Sequence, residues 1–116
     1  MTIEYIRYRL PSDKMNEFRA AYERAAESLR ASPVCLGYEL SACSEDEGVF
    51  ILRIEWTSKD DHLNGFRKSA QFPPFLAQIR AYVPNIEEMR HYERTELVWS
   101  RAQDGGASSA SPRAGA

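Results

Sequence analysis

Phe50-Ile-Leu-Arg-Ile-Glu-Trp56, continued by Thr57-Ser-Lys-Asp-Asp-His62 and, after a gap, by Ser69-Ala-Gln-Phe72-Pro-Pro-Phe75, is the stretch that decides the fold. Phe50, Leu52, Ile54 and Trp56 alternate with Ile51, Arg53 and Glu55, the period of a strand with one buried face and one charged face. Ser58 then stands at an N-cap, with Asp60 and Asp61 where a helix dipole favours negative charge. His62 and Phe66 share one face at a spacing of four. Pro73-Pro74 interrupts the segment and opens a fresh helix, since proline is tolerated in a first turn; it runs through Leu76 and Ile79 to about Tyr82, before Pro84.

Working outward, Ile3 to Leu10 alternates Ile3, Tyr5, Arg7 and Arg9 against Glu4, Ile6, Tyr8 and Leu10, a first strand closed by Pro11. Ser12 reads as an N-cap, and Met15, Phe18, Tyr22, Ala25 and Leu29 follow at helical spacing up to Ala31-Ser32-Pro33. Val34 to Cys43 reads as a second strand with Gly37 at a bulge, Ser44 to Gly48 as a hairpin loop, and Glu87 to Val98 as a long last strand with no cleanly apolar face. The order strand, helix, strand, strand, helix pair, strand is the split βαβ arrangement. It predicts an α+β, ferredoxin-like domain over residues 1–100, a four-stranded antiparallel sheet with helices on one face. Residues 101–116, rich in Gly, Ala and Ser, are too poor in large apolar side chains to offset ordering entropy and read as a disordered tail. The sheet face without helices calls for a partner sheet, hence a homodimer.

Composition narrows the function classes. The chain has 116 residues, 15 basic against 17 acidic, for a formal net charge of −2. Such a chain has no basic field to condense on phosphates, so neither nucleic acid nor an anionic membrane is an expected partner. No apolar run approaches the roughly 20 residues of a bilayer span, and a cytoplasmic location is the expectation. Dinucleotide, P-loop and zincin motifs are absent. Two histidines and two cysteines form no compact cluster in sequence, so no metal site is expected. Cys35 and Cys43 lie at opposite ends of one strand, roughly 26 Å apart, and read as free, buried or half-buried thiols.

Three groups of side chains can carry chemistry. His62, early on its helix, is either a half-exposed residue bonded to the turn below or a pocket residue that exchanges a proton near neutral pH. His91, beside Tyr92 and Glu93, offers either a dimer-interface hydrogen bond or a role near the charged side of the third strand. Arg7, Arg53 and Glu55 fall on one face if the first and third strands pair, as an ion network across a dimer or as a clamp for an anion or enolate. Trp56, Phe66, Phe72, Phe75, Phe18 and Tyr22 form an aromatic set. Most of it is core, with room for a slot between sheet and helices that takes a flat apolar ligand.

The strand ending in Glu55-Trp56, the short acidic helix with His62 and the Ser69-x-x-Phe72-x-x-Phe75 restart resemble the antibiotic biosynthesis monooxygenase family over roughly residues 2–94. The resemblance implies a dimeric α+β barrel whose last strand reaches across to the other subunit. It also implies oxidation of polyketide anthrones or quinols by molecular oxygen without metal or flavin. In that scheme His62 or Tyr22 is the base, Arg53 or Arg7 the charged group, and Trp56, Phe66, Phe72 and Phe75, with His91, bind an aromatic or quinol-like substrate. Haem-cleaving members use an Asn, a Trp and a His; here the first strand lacks Asn, and Phe66 and Leu76 stand near the other two positions. A dimer that binds a small ligand without turnover, or that serves as a protein-interaction platform, is the alternative on the same scaffold.

Overall fold

A computed structural model describes residues 1–101. In it, strand β1 (Thr2–Arg9) pairs antiparallel with β3 (Val49–Trp56) on one side and β4 (Ile86–Glu93) on the other, and β2 (Cys35–Ala42) pairs with β3, giving the order β2-β3-β1-β4. Helices α1 (Met15–Ala31) and α2 (Phe72–Ile79) pack on one face. This is the α+β, ferredoxin-like sheet that the alternation predicts. The tail read over 101–116 lies, apart from Arg101, outside the described residues.

The core follows from the strand period. Ile6 and Tyr8 of β1 and Phe50, Leu52, Ile54 and Trp56 of β3 face the helices and meet Phe18, Tyr22, Ala25 and Leu29 of α1 and Phe75 and Ile79 of α2. Phe18 is the hub, with ring centroids 4.8 Å from Tyr8, 5.1 Å from Tyr22 and from Phe50, and 5.3 Å from Tyr82. Burial of each such side chain contributes about 1.5–3 kcal/mol, which makes this cluster the main source of stability.

Local details both match and depart from the sequence reading. Pairing slips between Cys35 and Gly37, the bulge that glycine marks. Gly48 ends the hairpin loop with φ 91°, and its carbonyl accepts the Leu10 N–H at 2.8 Å. Ser12 caps nothing with its side chain; Ser12–Lys14 is a 3-10 turn after Pro11, and α1 begins only at Met15. β4 stops at Glu93 rather than Val98. Thr2, the first residue of β1, already stands opposite Glu93, so residues 95–98 have no neighbouring strand within the described chain, and only the Arg94 N–H to Met1 carbonyl bond, 3.1 Å, extends the ladder. Cys35 and Cys43 are free and half-buried, as expected.

Candidate functional site

The site forms where β1 begins and β3 ends. Strand alternation puts Glu4 on the same face as Ile6 and Tyr8, so a carboxylate enters the helix-covered side of the sheet, only 2% exposed. Across the ladder His91 lies directly opposite Glu4, on the same face. Trp56, at the end of β3, turns its indole inward and donates its Nε1–H to Glu4 Oε1 at 3.0 Å.

His62 arrives from the segment after β3. Ser58 Oγ accepts the Asp61 N–H at 2.9 Å, the cap that the sequence predicts. Asp61–Gly65 then forms a π-helical turn, in which the Phe66 N–H is shared between the carbonyls of Asp61 and His62. Such a widened turn re-aims side chains and recurs at functional sites. Here it drops the His62 ring onto Trp56, with centroids 4.4 Å apart and planes 11° from parallel. His62 Nδ1 lies 2.8 Å from His91 Nε2, and His62 Nε2 lies 3.6 Å from Glu4 Oε1. One donor atom from each of Glu4, His62 and His91 falls within 4.8 Å of the others.

Burial dominates the electrostatics. It raises the Glu4 carboxyl, against the Trp56 hydrogen bond and the more distant Arg67 charge, which lower it. Burial, with help from Arg67 and His91, pulls His62 down to about 3. His91 is also lowered, chiefly by burial and then by Lys59 and Arg67. Both imidazoles are therefore neutral near pH 7, and a single proton lies between Nδ1 of one and Nε2 of the other. When His91 donates it, His91 Nδ1 is left as a free base and His62 Nε2–H points at Glu4. The result is a chain of three titratable groups whose outermost member, His91, is half-buried at the sheet edge.

The structure thus brings His62, His91, Trp56 and Phe66 together, Phe66 lying 5.1 Å from the Trp56 ring. It corrects the half-exposed reading of His62, which is 4% exposed because its ring fills the space over the indole. His91 faces Glu4 and the helices, not the charged side of β3. That charged side is elsewhere: Arg53 binds Glu55 at 2.5 Å and Tyr5 Oη at 3.3 Å on the face without helices. Arg7 shares that face but pairs with Glu87 at 2.9 Å, not with Glu55. Residues an odd number apart on one strand point to opposite faces, so within the chain the sheet separates these arginines from His62. Tyr22 is buried in the core and hydrogen-bonded to Tyr8, its hydroxyl pushed well up by burial. Phe72 and Phe75 pack against Phe66 at 5.8 Å and 5.4 Å, so these rings fill the space expected as a slot. The open groove, about 580 Å³, lies instead between α1 and β2, beside Tyr22, Leu29, Arg30, Tyr38 and Leu40.

Glu4 is the residue that sequence reasoning passed over. Its signal was present: a lone carboxylate in register with Ile6, Tyr8 and Leu10 on the apolar side of the first strand.

Sheet order, helix placement and the buried carboxylate–histidine cluster define a small ferredoxin-like α+β protein with a polar site at one end of its core. The chain belongs to the antibiotic biosynthesis monooxygenase family, whose profile matches residues 1–78. Among curated proteins it is similar to the uncharacterized protein YczJ of Bacillus subtilis, 26% identical over 77 residues that make up 66% of this chain and 81% of YczJ. A conserved protein of Methanosarcina mazei superposes with a TM-score of 0.67 at 14% identity, over 81% of this chain and 92% of that one. A Deinococcus radiodurans protein provisionally named an antibiotic biosynthesis monooxygenase gives 0.67 at 15% identity, over 88% and 100%. At such identities these two likenesses speak for the fold alone.

Proposed function

We propose that the protein is a cytoplasmic, homodimeric monooxygenase that oxidises an aromatic, polyketide-like or quinol-like small molecule with dioxygen and without flavin or haem. The observation that carries this reading is the chain of groups from the buried Glu4 through His62 to the half-buried His91. A substrate proton accepted at His91 leaves an electron-rich carbanion or phenolate, which can reduce dioxygen directly. For a methylene-to-ketone oxidation the balance closes: two C–H bonds break, a C=O bond forms, and the second oxygen atom leaves as water after dioxygen has taken four electrons. His62 shares the proton gained by His91, and Glu4 opposes the positive charge that develops. The homodimer reading is supported by the helix-free sheet face, where Tyr5 and Tyr92 stack edge to face at 5.6 Å and remain exposed.

The filled space around Phe66 and the open groove between α1 and β2 favour a second reading, a dimer that binds a small ligand without turnover. Oxygen consumption by flavin-free protein with anthrones, hydroquinones and phenols separates the two. Uptake above autoxidation is the expected result; ligand binding with no uptake across the panel supports the second reading instead.

A further inference from the structure

We propose that Glu4, His62 and His91 form a binding site for one divalent first-row transition-metal ion. The inference rests on the reading of this cluster as the reactive centre and names its inorganic partner. Two imidazoles and one carboxylate from three separate elements, β1, β4 and the π-helical turn, are the donor set of facial-triad sites, which leave coordination positions open for substrate or water.

Four observations support it. First, Glu4 is 2% exposed and no lysine or arginine forms an ion pair with it among the described residues. Its Oε1 receives the indole N–H, whereas Oε2 has no hydrogen-bond partner among those residues. A buried carboxyl in this condition either holds a proton or pairs with a cation, and a metal ion would take the proton's place. Second, the donor atoms are already gathered within 4.8 Å. His62 meets His91 through Nδ1 at 2.8 Å and Glu4 through Nε2 at 3.6 Å, so an ion about 2.0–2.1 Å from each donor needs the His62 ring to turn one of these nitrogens toward both partners. Third, supporting groups are in place, as ligand sites require: Trp56 orients the carboxylate by hydrogen bonding and the His62 ring by stacking. Fourth, His91 sits half-buried on the edge strand β4 and gives an ion and its remaining ligands a way in. A bound ion would acidify a coordinated substrate hydroxyl, the task that otherwise falls to His91 as a free base.

The test uses the full chain after dialysis against chelator, titrated with Co(II) and Mn(II) by calorimetry and, for Co(II), by visible absorption. The expected result is one ion per chain, with affinity weaker by more than about 100-fold in His91→Ala and in Glu4→Gln, beyond the loss typical of an outer-shell change, and unchanged when Cys35 and Cys43 are both replaced by Ser. His91 is on an edge strand, so circular dichroism should show that variant folded. Absence of Co(II) and Mn(II) binding, or binding of equal strength in His91→Ala, overturns the proposal. Oxygen uptake by protein that binds no metal would leave the monooxygenase reading standing without this one. Stoichiometric binding without uptake on any substrate would do the reverse.

Discussion

The imidazole of His62 lies parallel to the indole of Trp56, at 4.4 Å, while the indole N–H is spent on Glu4. One tryptophan therefore sets the position of both other groups. Trp56→Phe keeps an aromatic surface but removes the donor, which leaves Glu4 Oε1 buried without its hydrogen bond. The expected loss is about 1–3 kcal/mol of stability, read by denaturant unfolding.

The acid limb of stability should carry the mark of His62. Its pKa is about 3 in the folded chain against about 6.5 when unfolded, so its contribution is complete above 6.5 and is lost as pH falls toward 3. Glu4, raised by burial, works in the opposite sense, favouring the native state at low pH and withdrawing that support as pH rises. In His62→Phe the loss of stability between pH 6.5 and 4 should be shallower than in the wild type, measured by thermal melts at matched ionic strength.

The alkaline limb belongs to the hydroxyl pair in the core. Tyr8 is pushed up to about 12 and Tyr22 well above its usual value, both chiefly by burial. Their contribution is whole below the unfolded value near 10 and declines as pH rises through 10 to 12. Tyr22→Phe leaves the Tyr8 hydroxyl unpaired, an expected loss of about 1 kcal/mol at pH 7, with a weaker dependence on pH above 10.

Gly48 holds φ 91°, and a Cβ there would stand 2.3 Å from the Leu10 carbonyl oxygen. Gly48→Ala should therefore destabilise by about 1–3 kcal/mol, checked by the midpoint of urea unfolding.

Burial pushes the Cys35 thiol up to about 11. At pH 8 only about 0.1% of it is thiolate, so alkylation in the native state should be far slower than after unfolding, as followed by mass spectrometry of the labelled peptide.

These features were legible in the sequence to very different degrees. The β3 run from Phe50 to Trp56 and the bulge at Gly37 follow from alternation and glycine chemistry, which act locally. His91 did not, because neither face of its strand is apolar and its direction is fixed only by register with Glu4. The π-helical turn that aims His62 inward has no composition signal of its own; its acidic first turn reads as an ordinary exposed helix. The separation of Arg53 from His62 was implicit in the alternation of β3, since Trp56, on which His62 stacks, and Arg53 are three residues apart and so face opposite ways.

The measurement that bears most directly on the account is the rate of oxygen uptake by His91→Ala and by Arg53→Ala, side by side with the wild type on a substrate drawn from the anthrone and hydroquinone panel. A reactive centre at Glu4, His62 and His91 predicts a fall of about 10²-fold or more for His91→Ala and a rate near that of the wild type for Arg53→Ala. The opposite ranking, with Arg53→Ala inactive and His91→Ala unimpaired, would contradict it and move the chemistry to the helix-free face of the sheet.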